Sequence, residues 1–96
     1  MARPARVVLP AVLRPYASGS AELQIPVRIG ASVADVLDAV GDAYPALARR
    51  IRDERGALRR YVNVFVDGED VRGAGGPSAP VPPGAEVLVL PSVAGG

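Results

Sequence analysis

The sequence closes on Leu90-Pro91-Ser92-Val93-Ala94-Gly95-Gly96. Two residues without side chains ahead of a carboxylate form a strip that threads a narrow channel and admits close approach by another protein. A carboxylate is a poor electrophile. It becomes an acyl donor once converted to a mixed anhydride such as an acyl-adenylate, a reaction that belongs in a partner's nucleotide site. Glycine-rich chain ends are common, so Gly95-Gly96 is a weak signal alone. Its weight comes from following directly on an apolar run and a proline.

The rest of the inventory narrows the choice. The 96 residues include no Cys, His, Trp or Lys, and the 11 basic residues, all Arg, face 10 acidic ones. Without thiol or imidazole there is no cysteine nucleophile, no Cys/His zinc site and no histidine base. Without Lys there is no Schiff base and no P-loop lysine. A self-sufficient enzyme is disfavoured. A net charge of +1 and a single Phe argue against nucleic-acid binding. Val7-Val8-Leu9-Pro10-Ala11-Val12-Leu13 behind two arginines faintly imitates a signal peptide, but Pro10 interrupts it and Arg14-Pro15 follow at once. No apolar run approaches the roughly 18 residues of a membrane span. The expectation is a soluble, cytoplasmic chain, monomeric when free, with no membrane partner.

These residues need a scaffold. A hydrophobic fraction of 49% supports one folded core, built from 42 Val, Leu, Ile and Ala residues. Arg6 to Leu13 reads as a strand, Pro15-Gly19-Ser20 as a turn, and Glu22 to Ile29 as a second strand. In the second, Leu23, Ile25, Val27 and Ile29 share a face. Pro26 marks an edge, because proline donates no ladder hydrogen bond. Ser32 and Asp35 stand at capping-box spacing ahead of Val33, Val36, Leu37, Val40 and Tyr44, which recur at helical period. Pro45 ends that helix or opens a second, carrying Leu47, Ala48 and Ile51. Arg60 to Val66 is the clearest strand. Asp67-Gly68 is a hairpin turn into Glu69 to Arg72, the glycines after Arg72 a further turn, and Ala85 to Leu90 a final strand stopped by Pro91. The order β-β-α-(α)-β-β-β predicts an α+β domain, residues 1–91, with one main helix and a shorter second one on a mixed sheet of about five strands. First and last strands side by side at the centre would complete a β-grasp. Residues 92–96 are expected to be a flexible tail.

Two surface features compete for a role. Val62, Val64 and Val66 share one strand face, and Phe65 lies on the other. If Val87 and Val89 face the helix, then Phe65, Leu88 and Leu90 form an apolar patch facing outward. If Leu88 and Leu90 are core, no patch exists, and alternation alone leaves both assignments standing. Arg49, Arg50, Arg52, Arg55, Arg59 and Arg60 crowd one stretch, either as a solvated face or as a dock for an acidic partner. Asp35, Asp38 and Asp42 read as a solvated helix face.

The ending Leu90 to Gly96, the segment Arg60-Tyr61-Val62-Asn63-Val64-Phe65-Val66-Asp67-Gly68-Glu69-Asp70-Val71-Arg72 and the Val-rich opening strand together resemble the ubiquitin-like sulfur carriers of the MoaD, ThiS and CysO type. The resemblance covers nearly the whole chain, and its length is most similar to the CysO group. It implies a ubiquitin-like β-grasp fold and a protein co-substrate with no catalytic residues and no bound cofactor. It implies that ATP and magnesium serve an E1-like adenylyltransferase and sulfurtransferase of the MoeB, MoeZ or ThiF type. That enzyme would form an acyl-adenylate on Gly96 and then a thiocarboxylate. A second partner would accept the sulfur, in the CysO group a pyridoxal-phosphate cysteine synthase; molybdopterin, thiamine or sulfur-containing secondary metabolites are the other destinations. It also implies partner contacts at Phe65, Leu88, Leu90, Pro91, Val93 and Ala94, beside the reactive Gly95 and Gly96. The alternative is a ubiquitin-like modifier conjugated through Gly96 to target lysines. A small binding module with an incidental Gly-Gly end is a third reading.

Overall fold

A computed structural model describes residues 3–91. Five strands form one sheet in the order β2-β1-β5-β3-β4, with β1 at Ala5–Val8, β2 at Glu22–Ile25, β3 at Val62–Val66, β4 at Glu69–Asp70 and β5 at Glu86–Pro91. β1 and β5 run parallel at the centre, and the remaining pairs are antiparallel. This is the β-grasp arrangement, with α1 (Val33–Ala43) and the shorter α2 (Pro45–Ile51). The central parallel pair is possible because the whole of α1, α2 and the β3–β4 hairpin lies between β1 and β5 in sequence, enough chain for a crossover. Among the described residues no helix is long and apolar enough to cross a membrane.

Side chains alternate cleanly across the sheet. Ala5, Val7, Leu23, Ile25, Val62, Val64, Val87 and Val89 point to one buried layer, which Val33, Val36, Leu37 and Val40 of α1 cover, with Leu47 and Ile51 of α2 beside them. The helix starts where the capping box predicts. The Ser32 hydroxyl accepts from the Asp35 amide at 3.2 Å, and the Ser32 amide donates to Asp35 Oδ2 at 2.9 Å. Asp67 (φ 48°) and Gly68 (φ 86°) make the two-residue turn, both in the left-handed region such a turn requires.

The first strand departs from the sequence-based expectation. It ends at Val8, and Ala11–Ala17 forms a 3-10 helix. Pro10 and Pro15 remove two ladder donors, and the i,i+4 pair Leu13 and Ala17 seals an end of the core instead. The β1–β2 hairpin forms, but across this helix and not across a short turn. The second strand stops at Ile25, so Pro26 lies just past the ladder, and Ile29 is 88% exposed where it was expected to face the core. β2 is an edge strand as Pro26 predicts. β4 spans only Glu69–Asp70; Val71–Gly73 and Gly76–Ser78 are 3-10 turns where a longer strand and a plain loop were expected. Asp70 caps the first of these by accepting from the Arg72 amide at 2.9 Å. Pro91 continues β5, paired with Val62, and does not terminate the strand before itself.

Candidate functional site

The sheet face opposite the helices carries the candidate site. Cross-strand register places Val8 beside Leu88 and Leu88 beside Phe65, so three apolar side chains stand in one row over the two central strands and β3. Directly paired residues such as these lie about 5 Å apart at Cβ and pack against each other. Glu22 and Asp70 close the row at its two ends. One step along β5, Leu90 pairs with Asn63 and is 37% exposed, while Phe65 and Leu88 are half-buried by one another. With Val87 and Val89 at 0% exposure, the assignment that alternation left open is decided. The valines are core; Phe65, Leu88 and Leu90 point outward together.

Further residues join this face, of which Val8 and Arg72 were not singled out by the sequence. Val8 extends the apolar row, and only the parallel β1–β5 register brings it there. Tyr61, 51% exposed, precedes Val62 at the end of β3 beside which β5 leaves the sheet. Arg72 reaches over the same end, donating from Nη1 to Asn63 Oδ1 at 2.9 Å and from Nη2 to the Arg59 carbonyl at 2.8 Å. Pro91 is exposed at the end of β5. Val93, Ala94, Gly95 and Gly96 lie outside the described residues.

The carboxylates of α1 do not form an acid/base array. Asp35 is occupied by the cap: its hydrogen bonds with the Ser32 backbone and side chain, and then the Arg28 charge, hold its carboxyl below the usual value. Asp38 accepts from Arg52 Nη2 at 2.8 Å. Among the described residues no group of three or more metal-ligating side chains converges, and no polar or charged residue is buried. The face offers apolar contact and hydrogen bonding.

Residues 7–96 match the model of the ThiS family. The chain belongs to the ThiS family. It is 34% identical over 92 residues to the sulfur carrier protein CysO of Mycobacterium tuberculosis, spanning 94% of this chain and 96% of that protein. The crystal structure of that CysO superposes with a TM-score of 0.81 at 31% identity, covering 93% of this chain and 99% of the other. CysO in the Amycolatopsis orientalis BexX/CysO complex gives 0.77 at 36% identity over 96% and 99% of the two chains. Small archaeal modifier protein 1 of Haloferax volcanii is also similar, 34% identical over 79 residues that make up 82% of this chain and 86% of that protein, with a TM-score of 0.79 for its crystal structure at 33% identity over 96% and 98% of the two chains. The ThiS-family chain is thus ubiquitin-like and CysO-like, of a class of carriers and not of enzymes.

Proposed function

We propose that this chain is a sulfur carrier whose reactive group is the Gly96 carboxylate. The observation that carries the reading is the outward row Val8–Leu88–Phe65 with Leu90 beyond it, on a strand that stops five residues before Gly96. Five residues reach at most roughly 17 Å. A partner seated on the row can therefore hold the chain end in a nearby catalytic site. There the carboxylate attacks the α-phosphorus of magnesium-bound ATP, and pyrophosphate leaves. The outer sulfur of a partner's cysteine persulfide next attacks the acyl carbon, AMP departs with the electron pair of the broken C–O bond, and an acyl disulfide forms. A thiol then attacks the partner's cysteine sulfur, breaking the S–S bond, forming a disulfide with that cysteine and releasing the C-terminal thiocarboxylate.

The similarity to CysO favours cysteine biosynthesis as the destination, with a pyridoxal-phosphate synthase accepting the sulfur. That a CysO is found in complex with BexX supports the expectation of a protein partner on this chain too. Phe65, Leu88, Leu90 and Pro91 are the contacts we assign to it, with Val93 and Ala94 lining the channel ahead of Gly95 and Gly96. The similarity to small archaeal modifier protein 1 supports a second reading, conjugation of Gly96 to target lysines. Both begin with adenylation and diverge afterwards.

Intact mass after incubation with ATP, a sulfur donor and the host's activating enzyme tests the first reading. One oxygen replaced by sulfur, and no replacement after deletion of Gly96, is the expected result. An unchanged mass with a demonstrably active enzyme would sink it, and adducts on protein lysines without thiocarboxylate would favour the second.

A further inference from the structure

The arginine-rich stretch read from the sequence resolves into two adjoining depressions with different charge. One, of about 570 Å³, mixes Arg49, Arg52, Arg55 and Arg59 with Asp38, Asp53 and Glu54, so its charge is largely compensated. The other, of about 320 Å³, is lined by Ala46, Arg49, Arg50, Arg59 and Tyr61 and contains no carboxylate. Two of its guanidiniums, those of Arg59 and Arg50, are held in place without being neutralised. Arg59 Nε donates to the Arg49 carbonyl at 2.7 Å, and the Arg50 guanidinium stands 4.4 Å from the centre of the Tyr16 ring. Among the described residues, only Arg6 and Arg52 form ion pairs.

The position of this depression matters as much as its charge. Tyr61 belongs both to it and to the end of β3 beside which β5 leaves the sheet. Arg72 lies over the same end, tied to Asn63 and to Arg59. At the opposite end of the β3–β5 pair stand Asp67, Glu69, Asp70 and Glu86. The guanidiniums thus gather where the chain departs toward Gly96, while the opposite end holds these carboxylates, with Arg6 beside Glu86.

We infer that the depression formed by Arg49, Arg50, Arg59 and Tyr61 is a docking surface for a carboxylate-rich segment of a protein partner, at the rim of the site that receives the chain end. Guanidinium forks pair bidentately with carboxylates, and the charges of Arg59 and Arg50, already fixed by a carbonyl and an aromatic ring, lose little further freedom on pairing. No glycine-rich amide loop lines the depression to cradle a compact phosphate. A polyanion such as DNA would meet Asp53 and Glu54 in the adjoining depression. The rim placement rests on the carrier reading of this chain; the preference for carboxylates does not.

Two experiments separate these parts. In the first, the full chain is titrated with hexaglutamate at low salt and followed by NMR, with inorganic phosphate and single-stranded DNA as comparison titrants. Saturable shifts at Arg49, Arg50, Arg59 and Tyr61, abolished in the Arg49→Glu/Arg50→Glu double variant and weakened by salt, are expected. Shifts no larger than those at Arg3 and Arg28, or tighter binding of phosphate or DNA, would overturn the inference. In the second, the charging of Gly96 by the activating enzyme is measured against carrier concentration and salt. The double variant is expected to raise KM roughly tenfold with kcat retained and to flatten the salt dependence, and Arg49→Gln/Arg50→Gln to give a smaller rise. Unchanged KM and salt response in a folded double variant would overturn the rim placement. Hexaglutamate binding by a chain that is never charged would overturn the carrier reading while upholding the surface.

Discussion

The two faces of the β3–β5 pair are built from the same kind of residue and meet different fates. Inward, Val64, Val87 and Val89 are at 0% exposure beneath α1. Outward, Phe65 and Leu88 are half-buried and Leu90 is 37% exposed. Short β-branched side chains suit the space between a helix and a sheet, whereas longer Leu and Phe side chains project where no element among the described residues covers them. A chain with so little aromatic content that places its single Phe on the uncovered face has not spent it on the core. Stability is concentrated on one side of the sheet and recognition on the other, so lesions on the two sides should be read out by different measurements.

The largest effect is expected on the inner face. Val89→Asp buries an unpaired carboxylate among Val, Leu and Ile side chains, at a cost above about 4 kcal/mol, a large part of what a domain of this size has. Circular dichroism should show an unfolded chain. Leu37→Ala, a pure cavity on the same side, should cost about 2–5 kcal/mol in urea denaturation and leave a folded protein that is charged normally at 25 °C. A folded, stable Val89→Asp protein would break the comparison at its root.

Leu90→Asp is the outward counterpart two strand positions from Leu88. Stability should change by less than about 0.5 kcal/mol because the site is already wet. The rate of thiocarboxylate formation at limiting carrier should fall at least roughly tenfold, as for loss of an interface anchor. Phe65→Ala should fall between the two, costing about 1 kcal/mol through its lost contact with Leu88 and also slowing charging. If both variants are charged at the normal rate, the outward row is not a partner surface.

How much of this could be read without coordinates follows from which interactions are local. The capping box, the α1 stripe, the Asp67-Gly68 turn and the period-2 alternation of β3 and β5 are short-range patterns, and each is where the sequence places it. Arg6 to Leu13 reads as one strand through Pro10, with Pro15 in a turn, whereas Pro10 and Pro15 together with Leu13 and Ala17 belong to a 3-10 plug. Ile29 continued an alternation that had ceased to apply once Pro26 ended the ladder. The outward patch needed a fact that no local pattern holds, namely which side of β5 the helix covers. The burial of Val87 and Val89 supplies that fact, and the parallel β1–β5 register brings Val8, more than 50 residues away in sequence from Phe65, into the same row. The Arg49–Arg59 pairing across the turn after α2, and with it the separation of a compensated from an uncompensated depression, is likewise tertiary.

The smallest effect sharpens the comparison from the helix side. Ser32→Ala removes the hydroxyl that accepts from the Asp35 amide, and a lost N-cap of this kind costs about 1 kcal/mol. Asp35 adds a sign that can be checked. Its carboxyl is held below the ordinary value of 3.8, first by the Ser32 backbone amide, then by the Ser32 side chain, and after these by Arg28. A group whose folded pKa is depressed contributes stability above its unfolded pKa and loses that contribution as pH falls through the folded one. The wild-type chain should therefore hold the full contribution of the Asp35 carboxylate at neutral pH and lose it progressively below about 3.8. In Ser32→Ala the backbone bond to Asp35 persists while the side-chain bond does not, so the acid-induced loss should be present but smaller, and the gap between the two stability curves should narrow in acid to the part held by the hydroxyl–amide bond. Urea denaturation at a series of pH values measures this directly. The charging rate per folded molecule should be the same in both chains at neutral pH, because the cap fixes a helix on the inner face and touches nothing on the outer one. A Ser32→Ala chain that is fully folded yet charged slowly would show that the two faces of the sheet are coupled through α1.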